Sequence, residues 1–89
     1  MKFTTYDLGY QDAGAIVQID LDGSEANVRL LDSSNFARYR RDDAHRYQGG
    51  HFRSSPVRLQ VPSAGRWHVA IDLGGHAGSV RSAVRVLAA

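Results

Sequence analysis

Residues 56–73 read Pro56-Val57-Arg58-Leu59-Gln60-Val61-Pro62-Ser63-Ala64-Gly65-Arg66-Trp67-His68-Val69-Ala70-Ile71-Asp72-Leu73. Two alternating runs stand in this stretch. Val57, Leu59 and Val61 fall on one side of the first, with Arg58 and Gln60 on the other. Trp67, Val69, Ile71 and Leu73 alternate with His68, Ala70 and Asp72 in the second. A period of two marks a half-buried β-strand. Pro62-Ser63-Ala64-Gly65 between the runs carries turn residues.

The same pattern extends in both directions. In Ala15-Ile16-Val17-Gln18-Ile19-Asp20-Leu21-Asp22, Val17, Ile19 and Leu21 oppose Gln18, Asp20 and Asp22. Asp22-Gly23-Ser24 follows and reads as a hairpin turn, because glycine accepts the positive φ that tight hairpins need. Asn27 to Asp32 is the strand it would lead into. After the flexible Gly74-Gly75-His76-Ala77-Gly78 loop, Val80, Val84 and Val86 oppose Arg81, Ala83 and Arg85. Ser82 interrupts that apolar face, which points to a strand near an edge. Lys2 to Leu8 is a weaker strand candidate, with Phe3 opposed to Thr4.

One segment breaks the alternation. Asp32-Ser33-Ser34-Asn35 supplies helix-capping side chains. Phe36 and Tyr39 then fall three apart, on one face of a helical turn. A short helix or pair of turns is expected over residues 34–41, crossing one end of the sheets, with Phe36, Tyr39 and Phe52 as core plugs. Asp42-Asp43 reads as a loop, and His45-Arg46-Tyr47-Gln48 as a short strand ending at Gly49-Gly50. Strand starts near residues 15, 26, 45, 56, 66 and 79 suit an all-β fold rather than βαβ units. The expectation is one domain over residues 1–89, mostly antiparallel, a compact β-sandwich or small barrel of about six to eight strands.

Composition restricts the chemistry. The 89 residues suit a single domain of modest stability. Cysteine is absent, which excludes disulfides and thiolate zinc sites. Met1-Lys2-Phe3-Thr4-Thr5-Tyr6-Asp7 lacks the apolar centre of a signal peptide. No apolar run approaches the roughly 18 residues of a membrane helix. A cytoplasmic location with no membrane partner is therefore expected. The net charge is only +2, yet every basic residue except Lys2 is arginine. Genomic base composition accounts for such a bias, and so does recognition of phosphate or carboxylate by the guanidinium fork.

Catalytic and metal patterns are weak. His45, His51, His68 and His76 form no two-apart or four-apart pair that would aim two imidazoles at one metal ion. Ser33, Ser34, Ser54 and Ser55 lie in no nucleophile-elbow motif, and Ser33 and Ser34 read as helix caps. Asp20 with Asp22, and Asp42-Asp43, read as solvated pairs rather than the opposed carboxyls of a glycosidase cleft. Gly49-Gly50 and Gly74 to Gly78 lack the lysine of a phosphate loop and read as turns. No enzyme activity, cofactor or metal is expected.

The best functional lead is a face. By parity Arg29, Arg58, Arg81 and Arg85 point outward from their strands, with His68 and Gln60. Were those strands to share a sheet, they would form a basic outer face. Arg38, Arg40, Arg41, Arg46 and Arg53 would extend it, with Tyr39, Tyr47 and Phe52 nearby. The opposing reading is a solvated surface neutralised by Asp20, Asp22 and Asp72.

Longer stretches carry a resemblance. Asn27-Val28-Arg29-Leu30-Leu31-Asp32-Ser33-Ser34-Asn35-Phe36, Arg46-Tyr47-Gln48-Gly49-Gly50 and Ser55-Pro56-Val57-Arg58-Leu59-Gln60-Val61-Pro62 resemble the small bacterial domain-of-unknown-function family 1883. So do Gly65-Arg66-Trp67-His68-Val69 and Val80-Arg81-Ser82-Ala83-Val84-Arg85-Val86-Leu87. The resemblance implies a compact bacterial β domain and transfers no functional residue. Related domains sometimes precede Toll/interleukin-receptor-type signalling domains, which implies a sensor role by analogy; here only Ala88-Ala89 follow Leu87.

The expected function is a non-enzymatic recognition module for an anionic or carbohydrate-like ligand or a protein partner. The candidate binding residues are Arg29, Arg58, His68, Arg81 and Arg85 on the outer face, and His45, Tyr47, Gly49, Gly50 and His51 at a loop end. The alternatives are a homo-oligomeric interaction protein, for which the nominally outward Ile16, Leu31 and Leu87 would provide apolar contact, and a nucleic-acid-binding domain.

Overall fold

Alternating strands can bury their apolar sides only against a second layer, and the chain builds that layer from itself. The computed structural model describes residues 3–88. In order, its elements are β1 (Phe3–Gln11), β2 (Ile16–Gly23), β3 (Ala26–Asp32), α1 (Ser33–Arg40), β4 (Gln48–Phe52), β5 (Val57–Gln60), β6 (Gly65–Asp72) and β7 (Val80–Leu87). They form a four-stranded sheet in the order β1-β6-β3-β4 and a three-stranded sheet in the order β5-β2-β7. Every pairing is antiparallel. Of the two architectures expected, the two-sheet sandwich is the one formed.

The inward faces are those that parity indicates. Val17 and Ile19 of β2, with Val57 of β5, meet Val28 and Leu30 of β3 and Trp67, Val69 and Ile71 of β6. Val80, Val84 and Val86 close the core along β7. Ser82, the polar break in that face, is explained by Tyr6 of β1. The Tyr6 hydroxyl lies 2.7 Å from Ser82 Oγ and donates to the Ser82 carbonyl at 3.0 Å, linking the two sheets. β1 is a full strand whose register with β6 shifts between Asp7 and Gly9. The expected start of this strand, Lys2, lies outside the described residues.

Two turn expectations are corrected. Asp22-Gly23 does not close a hairpin, because β2 and β3 belong to different sheets. Gly23 carries φ +116°, and a Cβ there would come within 2.6 Å of the Ser79 carbonyl oxygen, so this glycine serves a crossover tucked against the start of β7. Gly49-Gly50 does not end a strand over residues 45–48. Both glycines lie within β4, Gly49 opposite Arg29 and Gly50 opposite Val28. Gly49 adopts φ +129°, and a Cβ on it would run into the Val28 carbonyl oxygen. Glycine here allows an intimate strand approach and a conformation that L-residues avoid.

The helix forms one residue earlier than expected. Its N-cap is Asp32 rather than Ser33 or Ser34: Asp32 Oδ1 accepts the Asn35 amide at 2.8 Å. The helix lies over the outer face of the four-stranded sheet, where Phe36 and Tyr39 cover Leu31 and Ala70 in a second small core. Leu31, an outward residue by parity, is thus buried within the domain. Phe36 and Tyr39 are plugs as expected, on the outside of the sheet rather than between the layers, whereas Phe52 packs against the main core.

Candidate functional site

Placing α1 over one sheet divides the expected basic face in two. Arg29 and His68 belong to the four-stranded sheet and Arg58, Arg81 and Arg85 to the three-stranded sheet, on opposite sides of the sandwich. A single face holding all five is therefore not formed. On the three-stranded side, Gln18 has Arg58 as its neighbour on one strand and Arg85 on the other. Gln18 is only 5% exposed, although it points away from the core. Its Oε1 accepts from Arg58 Nε at 3.1 Å. Arg81 stands opposite Asp22 further along.

On the helix side, Arg29 is not a free cation. Its Nη1 donates to Asp72 Oδ2 at 2.6 Å. Tyr39 donates its hydroxyl to the same oxygen at 2.7 Å. Oδ1 accepts from Asn27 Nδ2 at 2.9 Å and from the Gly74 amide at 2.8 Å. Asp72 is 3% exposed and carries four donors. Burial pushes its carboxyl up, but the hydrogen bonds from Asn27, Tyr39 and Gly74 and the Arg29 charge together outweigh burial. The carboxyl lies below its ordinary value. Burial and the adjacent carboxylate push the Tyr39 phenol well above its ordinary value. The Arg29 guanidinium lies over two tyrosine rings, 5.3 Å from the Tyr39 centroid and 5.0 Å from that of Tyr47. A carboxylate so fully bonded is a poor proton acceptor; the cluster fastens α1 to β3, to β6 and to the turn that follows β6.

His51 and His45 touch this cluster, through Asn27 and Tyr39, whereas His68 lies apart from it beneath the start of α1. His68 stacks on Phe36 with centroids 4.3 Å apart, and its Nε2 lies 3.1 Å from Ser33 Oγ. His51 contacts Asn27 Oδ1 at 2.9 Å through Nδ1 and Glu25 at 3.1 Å through Nε2. His45 stands edge-on to Tyr39 and tilted to Tyr47. Its Nδ1 lies 2.8 Å from the Asp43 carbonyl, an acceptor, so Nδ1 carries a proton. Gly49 and Gly50 contribute strand pairing rather than a loop for ligands.

Beyond the cluster, two adjoining clefts open beside α1. The first, about 460 Å³, is lined by Ser34, Asn35, Arg38, Ala44, His45 and Arg46. The second, about 330 Å³, includes Asp32, Tyr47, Gln48, Pro62 and Trp67, and shares Asn35 and Arg46 with the first. Asn35 forms their common wall. Its Oδ1 accepts the Arg46 amide at 2.8 Å and its Nδ2 donates to Asp32 Oδ1 at 3.0 Å. Of the first cleft's residues, sequence reasoning singled out His45 for binding and Arg38 and Arg46 as extensions of the face. It read Asn35 only as part of a cap, because the bond from Arg46 spans a loop that spacing does not reveal.

The family model described as Domain of unknown function (DUF1883) matches residues 1–89. The chain belongs to the DUF1883 family. No curated protein and no solved structure matches it. Among the described residues of this DUF1883 domain, no three His, Asp or Glu side chains converge to hold a metal ion. No helix among them is long and apolar enough to cross a membrane.

Proposed function

We propose that this DUF1883 domain is a non-enzymatic recognition module that binds an anionic small molecule in the cleft beside α1. The carrying observation is charge without compensation. Arg38, His45 and Arg46 line one open cleft whose lining contains no carboxylate. Neither Arg38 nor Arg46 is ion-paired among the described residues. The nearby Asp43 carboxylate is engaged by Arg41 Nε at 3.1 Å. Two guanidinium forks in one cleft, free of ion pairs among the described residues, favour a ligand that accepts several hydrogen bonds, as phosphate and carboxylate groups do. Asn35 supports the reading further, since its bond to the Arg46 amide fixes the loop against the helix before any ligand arrives.

The test is a titration of isotopically labelled protein with inorganic phosphate at low and moderate salt. The expected result is amide shifts at Arg38, His45 and Arg46 that weaken with salt and disappear in the Arg38→Ala/Arg46→Ala variant. Unperturbed spectra up to tens of millimolar phosphate would reject the proposal.

A second reading, a homo-oligomeric or partner-binding interaction protein, is favoured by the uncovered three-stranded sheet. Ile16 there stands opposite the exposed Leu87, on the same sheet as Arg58 and Arg85, neither of which is ion-paired among the described residues. Light scattering at high protein concentration decides on self-association: a strict monomer removes it.

A further inference from the structure

Resting on the anion-binding reading of the first cleft, we propose that the ligand is a sugar phosphate, with its phosphoryl group at Arg38, His45 and Arg46 and its sugar in the adjoining cleft. The argument begins with the difference between the two clefts. The first offers cationic donors and no carboxylate. The second is lined by Tyr47, Trp67 and Pro62 together with Asp32 and Gln48. Aromatic and apolar surface beside a carboxylate and an amide suits a ring that has C–H faces and hydroxyl edges.

Unused hydrogen-bonding capacity in the second cleft fits hydroxyls of both polarities. The capping bond from the Asn35 amide and the bond from Asn35 Nδ2 both fall on Asp32 Oδ1, which leaves Oδ2 as a free acceptor among the described residues. The Gln48 side chain, an amide with donors and an acceptor, makes no hydrogen bond to the described residues, nor does the Tyr47 hydroxyl. Adjacent sugar hydroxyls both donate and accept, so a carboxylate oxygen, an amide and a phenol together can satisfy a pair of them. The two clefts share Arg46 and Asn35, which brings phosphoryl and sugar positions within the span of one small molecule. Their volumes, about 460 and 330 Å³, lie at the low end of the range of about 300–1,000 Å³ for small-molecule pockets.

The same features disfavour other anions. A nucleic-acid backbone needs a continuous basic track, but here the positive lining gives way to Asp32 and Pro62. The Asp32 carboxylate would repel a second phosphate next to the first. Trp67 offers no stacking face to a nucleobase, being 6% exposed with its indole Nε1 fixed to the Ser63 carbonyl at 2.9 Å. The exposed Tyr47 ring, with the Arg29 guanidinium 5.0 Å from its centroid, is the one aromatic surface left to a sugar or a base among the lining residues, and AMP is the probe that separates the two.

The experiment titrates the full chain with inorganic phosphate, glucose 6-phosphate, ribose 5-phosphate, glucose and AMP, following backbone amides and the single Trp67 indole. At least one sugar phosphate is expected to bind tenfold or more tighter than inorganic phosphate, and to shift Tyr47, Gln48 and the indole as well as Arg38 and Arg46. Gln48→Ala is expected to abolish that gain while leaving inorganic phosphate binding unchanged. Sugar phosphates no tighter than inorganic phosphate, with Tyr47 to Gln48 silent, would overturn the sugar assignment and leave the anion site standing. AMP binding more tightly than either sugar phosphate would also overturn it. Silence toward inorganic phosphate and every phosphorylated probe would remove both proposals.

Discussion

Tyr39→Phe isolates one bond of the Asp72 cluster. The ring stays, and with it the edge contact to Phe3 at 5.2 Å and the cover over Leu31 and Ala70. Only the hydroxyl leaves, and it donates at 2.7 Å to a buried carboxylate. A hydrogen bond to a charged group contributes about 1.5–3 kcal/mol. Asp72 keeps three other donors, so the lower part of that range applies, about 1.5–2 kcal/mol. For a domain of this size that corresponds to a fall in Tm of roughly 6–16 °C. The pH dependence follows from the sign of the shift. Asp72 has a folded pKa below its ordinary 3.8, so its contribution is fully present above that value and is lost as pH falls through the folded pKa. Removing the Tyr39 hydroxyl moves the folded pKa back toward 3.8. The stability gap between wild type and variant is therefore complete at neutral pH and narrows in acid. Urea unfolding at neutral pH and at the lowest pH where the fold persists, followed by Trp67 fluorescence and circular dichroism, measures both quantities. A gap below about 0.5 kcal/mol at neutral pH, or one that stays constant into acid, would refute the reasoning; the smaller value is the level of an ordinary surface substitution.

Three further outcomes are expected. Gly49→Ala sets a Cβ against the Val28 carbonyl at φ +129° and should cost more than about 2 kcal/mol, with faster amide exchange along β3 and β4; exchange rates equal to wild type would contradict the close approach. Tyr6→Phe removes the bonds to Ser82 that link the sheets and should cost about 0.5–1.5 kcal/mol in urea unfolding, an effect that Ser82→Ala should share only in part, because the Tyr6 bond to the Ser82 backbone carbonyl survives that substitution. Asp32→Ala should destabilise by about 1 kcal/mol through loss of the cap and also weaken phosphate binding, because Asn35 loses its anchor. Asp32→Asn should recover most of the stability, and failure to do so would show that the cap is not what Asp32 contributes.

The sequence was most legible where side chains alternate. Val57, Leu59 and Val61, and Trp67, Val69 and Ile71, face the core as their parity requires. Parity names a face but not what lies above it. Asp72 and Leu31 point outward by count, yet α1 covers them, one within a hydrogen-bonded cluster and the other within a second core. Nor does parity name neighbours, since Asp22-Gly23 looks the same whether the chain returns in its own sheet or crosses to the other. Gly49-Gly50 has no side chains to alternate, so a strand segment reads as a turn. For the site, the cationic residues were visible, but their meeting depends on Asn35 Oδ1 accepting an amide eleven residues further along, at Arg46.

The crossing of Asp22-Gly23 from sheet to sheet is one case of a rule that holds along most of this chain, and it bears on how the molecule folds. Among the described residues, only β3 and β4 are both consecutive and paired, and residues 33–47 intervene between them. An isolated hairpin can close in about 1–10 μs, but no tight hairpin is available here as a nucleus. β1 meets its partner β6 only after residues 65–72 have been made, and β2 awaits β5 and β7. Loop-closure entropy must be met before any of these pairings returns energy. Refolding on the millisecond-to-second scale of sandwich proteins is the consequence. On the ribosome, the first two strands must wait unpaired while the second half of the chain emerges.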